Sequence, residues 1–324
     1  MKVCVVGAGA IGSFIGAHLS RRSCQVAALA RGATAASLRA HGFRLEQAGA
    51  LVTAPVRVVE DGAPLGAQDL VVLAVKGPSL RGVAEKVTPM LGSDTMVLTA
   101  MNGVPWWFFL SGGGGAWDGM RLTSVDPDGR IAAAIPDHHV LGCVVHATCS
   151  VVEPGLVRHG FGDELIIGEP GGGISARATA LAELLRSAGF KTTVSARIQA
   201  DIWYKLWGNM TMNPISALTG ATCDRILDDP LLNRYALSIM AEAAAIGERI
   251  GCPISQSGED RNAVTRKLGA FKTSMLRDAE AGRPLEIDAL LTAVTEIGER
   301  VGVPTPNTDA LLGLVRVFEE AHHG

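Results

Sequence analysis

No stretch of this chain is apolar for long enough to cross a membrane, although its mean hydropathy of +0.26 is high. The excess comes from Ala, Val, Leu and Gly in short runs that suit buried strands and packed helices. Cysteine is sparse and scattered. Cys4, Cys24, Cys143, Cys149, Cys223 and Cys252 form no C-x-x-C pair, which argues against a disulfide framework or a metal site and for reduced thiols in a cytoplasmic protein. Charge is low at 19% of residues with a net of −3, so there is no electrostatic case for nucleic acid. Aromatic residues make up only 5%, so any local concentration of them stands out. No internal repeat or low-complexity tail is visible, and the first strand starts too early to leave room for a signal peptide. A soluble enzyme of 324 residues, long enough for two domains, is the class that remains.

What is present is concentrated first at the N-terminus. Val3 to Val6 is a short β-branched run of the kind that forms a fully buried strand. Gly7, Ala8, Gly9, Ala10, Ile11 and Gly12 follow as G-x-G-x-x-G, and a helical pattern runs on to Ser20. Strand, glycine loop and helix in that order predict a dinucleotide site. Gly7 permits the tight turn, Gly9 lets a pyrophosphate approach the backbone, and Gly12 lets the helix pack on the sheet. The helix N-terminus then holds the phosphates. The second strand, Gln25 to Ala30, ends at Arg31, where an NAD-preferring site usually carries an acid for the ribose hydroxyl. A guanidinium suits a 2′-phosphate instead, so the cofactor read from these residues is NADP(H).

Asp69 to Val75 is another buried strand, and Lys76 lies just past its carboxyl end, where open α/β sheets bind ligands. It can face the cofactor or substrate, or be an ordinary solvated lysine. Thr95 to Thr99 is a further strand followed by Asn102-Gly103, which offers an amide near a bound nicotinamide or substrate but is also a common turn dipeptide. Arg44 to Thr53 and Pro55 to Val59 read as a strand pair. Trp106, Trp107, Phe108 and Phe109, followed by Gly112 to Gly115, can form a hinged pocket cover or a core or subunit-contact patch. Strands are expected at Leu141 to Val152, Glu164 to Ile167 and Thr192 to Val194.

Beyond Ala196 the pattern is wholly helical, which divides the chain into 1–196 and 197–324. Ser195 can cap a helix in which Lys205, Asn209 and Asn213 recur at i, i+4 and i+8 on one face. Pro214 is expected to kink or end that helix. Three polar groups in so apolar a helix need partners, and a small polar substrate can supply them. Helices are then expected over Pro230 to Ile250, over Glu259 to Glu280 with Lys272 and Ser274 inside, from Pro284-Leu285-Glu286-Ile287-Asp288 to Arg300, and over Asp309 to Ala321.

With GAGAIG, Arg31, Lys76, Asn102-Gly103, KLWGNMTMNPISAL from Lys205, KTSMLRD from Lys272 and PLEID from Pro284, the chain resembles the ketopantoate reductase (2-dehydropantoate 2-reductase) family over nearly its whole length. The resemblance implies an α/β fold with an N-terminal Rossmann-type doubly wound sheet and an all-helical C-terminal domain. It implies NADPH-dependent reduction of a small 2-oxo acid, ketopantoate to pantoate in the family's pathway to pantothenate and coenzyme A. Lys205 resembles the general acid, and Glu286 the carboxylate that orients it and binds the product hydroxyl. Asn209, Asn213 and Ser274 resemble substrate contacts and Asn102 the amide near nicotinamide and substrate; Lys76 is implied near the cofactor or substrate charge, and Arg31 at the cofactor's 2′-phosphate. The aromatic run and a long stretch from Gly112 to His138 depart from the family pattern and leave a different 2-oxo acid, or an NADPH-binding sensor, as alternatives. A homodimer is plausible from the apolar helical part; no nucleic acid or membrane partner is expected.

Overall fold

A computed structural model of the chain describes residues 1–22 and 24–323. It is a mixed α/β structure. In chain order the elements are β1 Lys2–Val6, α1 Ala10–Ser20, β2 Gln25–Leu29, α2 Gly32–His41, β3 Phe43–Gln47, β4 Ala50–Ala54, β5 Arg57–Val59, β6 Leu70–Leu73, α3 Gly77–Val87 and β7 Met96–Thr99. Then come α4 Arg130–Ala134, β8 Val140–Glu153, β9 Leu156–Gly168, α5 Ala176–Ser187 and β10 Lys191–Ser195. The rest is α6 Ile198–Thr219, α7 Cys223–Asp228, α8 Pro230–Arg249, α9 Gly258–Arg266, α10 Ser274–Glu280, a π-turn Asp288–Thr292, α11 Ala293–Val301 and α12 Pro306–His323.

The strands form one sheet in the order β4-β3-β9-β8-β7-β6-β1-β2-β5, with β10 also paired to β9. All neighbours are parallel except β3 with β4 and β8 with β9. β6 and β7 are buried at every residue, as is β1 after Lys2, which is why they read as unbroken apolar runs rather than alternating ones. The chain leaves β1 for β2 on one side, while β6 lies on the other. That reversal of direction is the switch point at which open α/β sheets bind ligands.

The chain folds into two compact units. The first holds Met1–Met101, Leu110–Gly113 and Gly129–Ile198; the second holds Asn102–Phe109, Gly114–Asp128 and Gln199–Gly324. The second contains no strand among its described residues. Segments 102–109 and 114–128 cluster with the helices although they are flanked in sequence by strands β7 and β8. The reason is packing. Trp106, Trp107, Phe108 and Phe109 are each at most 3% exposed, Phe108 lies 6.1 Å from Trp203 of α6, and the Trp117 indole N–H donates to the Arg249 carbonyl at 3.0 Å. The aromatic run is core of the helical unit, not an exposed cover.

Several elements differ from their sequence expectation. β3 and β4 form a hairpin that pairs with β9, whereas β5 pairs with β2 at the other end of the sheet, so 44–59 is not one strand pair. Pro214 neither ends nor breaks α6, which runs on to Thr219. Ile215 and Ala217 beyond it are 3% and 4% exposed, and their burial outweighs the lost ladder bond. Ser195 accepts from the Arg197 N–H at 3.0 Å in a turn just ahead of α6. The single helix expected over 259–280 is two, α9 and α10. Lys272 lies in the connection between them, and Ser274 opens α10 because Thr273 caps it by accepting from the Leu276 N–H. Among the described residues no helix is long and apolar enough to cross a membrane, and no group of three or more His, Cys, Asp or Glu could hold a metal ion.

Candidate active site

The candidate residues fall into two groups, one in each unit. In the first unit, the backbone dictates the glycine loop. Gly7 has φ +91°, and a Cβ there would stand 2.6 Å from the Val75 side chain and 2.8 Å from the Ala74 carbonyl, a position only glycine fills without strain. A Cβ at Gly12 would meet the Gly7 carbonyl at 2.1 Å. Gly9 is different: nothing of the protein lies within 4 Å of where its Cβ would be. Its missing side chain leaves open space at the N-terminus of α1, where no side chain caps the helix and no acidic residue occupies the first turn. Unspent N–H groups, a positive helix end and open room fit a pyrophosphate.

Arg31 follows β2 and stands at the N-cap of α2 with its side chain exposed. This helix too lacks a side-chain cap and a first-turn acid, so a cation and a helix N-terminus meet at one place. Lys76 is the N-cap of α3, half-buried at the carboxyl end of β6. The registers Val6↔Leu29 and Val6↔Leu73 bring the ends of β2, β1 and β6 level, so Gly7, Arg31 and Lys76 all emerge from the same edge of the sheet.

In the second unit, α6 carries the polar row. Trp203, Leu206 and Met210 are each at most 1% exposed, and the indole N–H groups of Trp203 and Trp207 donate to carbonyls of α8 at 3.1 and 2.7 Å. These bonds fix the helix about its own axis. Lys205 and Asn209 are then left half-buried on the open side, with Asn213 buried beyond them. The Lys205 ammonium donates to Asn102 Oδ1 at 2.9 Å. Two candidates separated by more than a hundred residues are thereby joined by a charge-assisted hydrogen bond. Ser274 is exposed at the first residue of α10, and Glu286 is half-buried two residues ahead of the π-turn.

Sequence reasoning passed over Ala289. The Val104 N–H donates to its carbonyl at 2.8 Å, and the Gly103 backbone packs against it. A residue that acts through its main chain leaves no side-chain signature. A cavity of about 710 Å³ in this unit, lined by Thr123, Ser124, Glu296, Glu299 and Asp309 among others, includes none of the candidate residues. Its carboxylates would repel an oxo acid.

Similarity to known proteins extends along the whole chain. The pattern of "Ketopantoate reductase PanE/ApbA" matches residues 3–106, and that of "Ketopantoate reductase PanE/ApbA C terminal" matches residues 197–319. The chain is 45% identical over 317 residues to a 2-dehydropantoate 2-reductase of Mesorhizobium japonicum, covering 98% of this chain and 97% of that one. A crystal structure from Ralstonia solanacearum, assigned to the ketopantoate reductases, superposes with a TM-score of 0.95 at 58% identity, covering 99% of this chain and 98% of the other. A D-mandelate dehydrogenase in a ternary structure with NADH and anilino(oxo)acetate has a TM-score of 0.86 over the full length of both chains, but at 22% identity that likeness is one of fold.

Proposed function

The chain belongs to the ketopantoate reductase family of oxidoreductases, and from that premise we propose that it reduces 2-dehydropantoate to pantoate with NADPH. The observation that carries the reading is the Lys205–Asn102 hydrogen bond, which holds an ammonium on the open side of an otherwise buried helix. The hydride that reaches the carbonyl carbon of the 2-oxo acid would come from the bound nicotinamide cofactor. The developing alkoxide oxygen needs a cation and then a proton, and Lys205 provides both. Asn102 orients the ammonium. Asn209 and Asn213 continue the row on the same helix and donate to substrate oxygens, the Ser274 hydroxyl reaches the carboxylate, and Glu286 accepts from the nascent hydroxyl.

The cofactor reading rests on the first unit. Gly7, Ala8, Gly9, Ala10, Ile11 and Gly12 leave open space at the N-terminus of α1 for the pyrophosphate. Arg31 and the uncapped N-terminus of α2 suit a 2′-phosphate, and Lys76 adds positive charge at the same sheet edge. Such an enzyme acts in the cytoplasm on a free small molecule.

Steady-state NADPH oxidation with 2-dehydropantoate, beside smaller and bulkier 2-oxo acids, tests the substrate. A kcat/KM for 2-dehydropantoate well above the others is the expected result. Preferential turnover of another 2-oxo acid would keep the chemistry and reassign the substrate, and NADPH binding without any turnover would make the chain a sensor.

A further inference from the structure

The site residues before and after the helical stretch are linked through the main chain. The turn at Asp288–Thr292 is a π-turn, in which the Ala293 N–H bonds back to the Asp288 carbonyl. Such turns carry one residue more than an α-helical turn and recur at functional sites. Here the turn presents the Ala289 carbonyl to the Val104 N–H at 2.8 Å. Val104 is fully buried, so this bond is shielded from water. Between Val104 and Asn102 stands Gly103, with φ +81°. A Cβ at Gly103 would lie 2.5 Å from the Ala289 oxygen, 2.7 Å from its carbonyl carbon and 2.7 Å from its Cβ. Glycine is thus required twice, by its backbone angle and by the approach of another backbone.

We propose that the π-turn is a backbone clamp that positions Asn102 against Lys205, with Gly103 and Ala289 as its two jaws. The residue before the clamped glycine carries the amide that accepts from the Lys205 ammonium at 2.9 Å. Glu286 lies three residues before Ala289, on the stretch that feeds the same turn. The clamp therefore sets Asn102, and with it Lys205, in register with Glu286. A short polar side chain on a loop needs such support, because catalytic geometry tolerates only about 0.5 Å of drift. The inference rests on the reading of Lys205 as proton donor.

The test is Gly103→Ala beside Lys205→Ala, with Gly302→Ala as control. Gly302 also has positive φ, +73°, but nothing lies within 4 Å of its Cβ position, so it carries the backbone strain without the contact. In Gly103→Ala, kcat should fall roughly tenfold to a hundredfold, the cost of about 1 Å of misplacement. The KM for NADPH should change far less than kcat, because the glycine loop, Arg31 and Lys76 are untouched. The alkaline limb of the kcat–pH profile should move to lower pH, because the ammonium has lost an acceptor that favours its charged form. Ala289→Val presses on the same contact from the helix side without straining position 103, and should give the same signature even if Gly103→Ala fails to fold. Gly302→Ala should lower Tm and leave kcat and its pH profile unchanged. Unchanged kcat and pH limb in Gly103→Ala or Ala289→Val, with Lys205→Ala inactive, would overturn the clamp and leave Lys205 in place. A fall in kcat with no movement of the limb would reduce the contact to a structural one. Full activity of Lys205→Ala would overturn both readings.

Discussion

The Lys205 ammonium and the Arg31 guanidinium are the two cations on which the proposed chemistry turns, and they are held in opposite ways. Lys205 is half-buried and bonded to Asn102 at 2.9 Å. Arg31 is exposed at the N-cap of α2, with no acid in the first helical turn. A guanidinium offers no acceptor to a ribose hydroxyl and donates strongly to a phosphate, which is the basis of the proposed 2′-phosphate contact. Replacing Arg31 by Ala should therefore raise the KM for NADPH by roughly tenfold or more, the scale of a lost charge-assisted contact, and leave the KM for NADH almost unchanged. An equal rise for both cofactors would remove the 2′-phosphate assignment. Burial pushes Cys4 and Cys149 up to about 12 and Cys223 up to about 11, so they stay protonated and unreactive at neutral pH.

Two segments of the helical unit are tied down by carboxylates far away in sequence. The N-terminus of α12 is closed by Glu242 of α8, which accepts from the Asn307 and Thr308 N–H groups at 2.8 and 2.9 Å and from both of their side chains at 2.7 Å. Glu242→Ala should cost about 1–3 kcal/mol, and the amides of Asn307 and Thr308 should lose hydrogen-exchange protection before the rest of α12. Glu296 of α11 ties down the 114–128 segment in the same manner, accepting from the N–H groups of Thr123 and Ser124 at 2.9 Å each. Burial alone would raise its pKa; the hydrogen bonds from Ser124 and Thr123 outweigh that and hold it below the ordinary carboxylate value of 4.5. A lowered folded value means stability that is full above pH 4.5 and is lost as pH falls through the folded value. Glu296→Gln should thus be less stable than the unmodified protein by about 1–2 kcal/mol at pH 7, and urea unfolding should show the gap closing only below pH 4.5. A gap that persists at pH 3 would mean that packing, not charge, holds the segment. Elements like these mark what could be read in advance. The helix expected over Pro230 to Ile250 was legible to within one residue, α8 ending at Arg249. Pro214 was not, because its local signal points to a helix end while the burial of Ile215 and Ala217 carries α6 onward; the break between α9 and α10 turns on the Thr273 cap.

Across the whole molecule, the residues proposed for cofactor binding and for proton transfer are divided between two units. The glycine loop, Arg31 and Lys76 belong to the first; Asn102, Lys205, Asn209, Asn213, Ser274 and Glu286 belong to the second. Lys205→Ala should accordingly keep its affinity for NADPH, measured by fluorescence titration, while kcat falls roughly a hundredfold or more. A parallel loss of NADPH binding would mean that the division of labour is not as drawn. The buried strands, the dinucleotide loop, the Lys205–Asn209–Asn213 row and the family all follow from the order of residues alone, because each depends on spacing along a few turns of chain. It took folding in three dimensions to place the aromatic run, to carry α6 through Pro214, and to bring Asn102 to Lys205 while its neighbour Gly103 is pressed against Ala289. Those outcomes depend on packing between segments far apart in sequence, made through buried area and backbone carbonyls that no local pattern records.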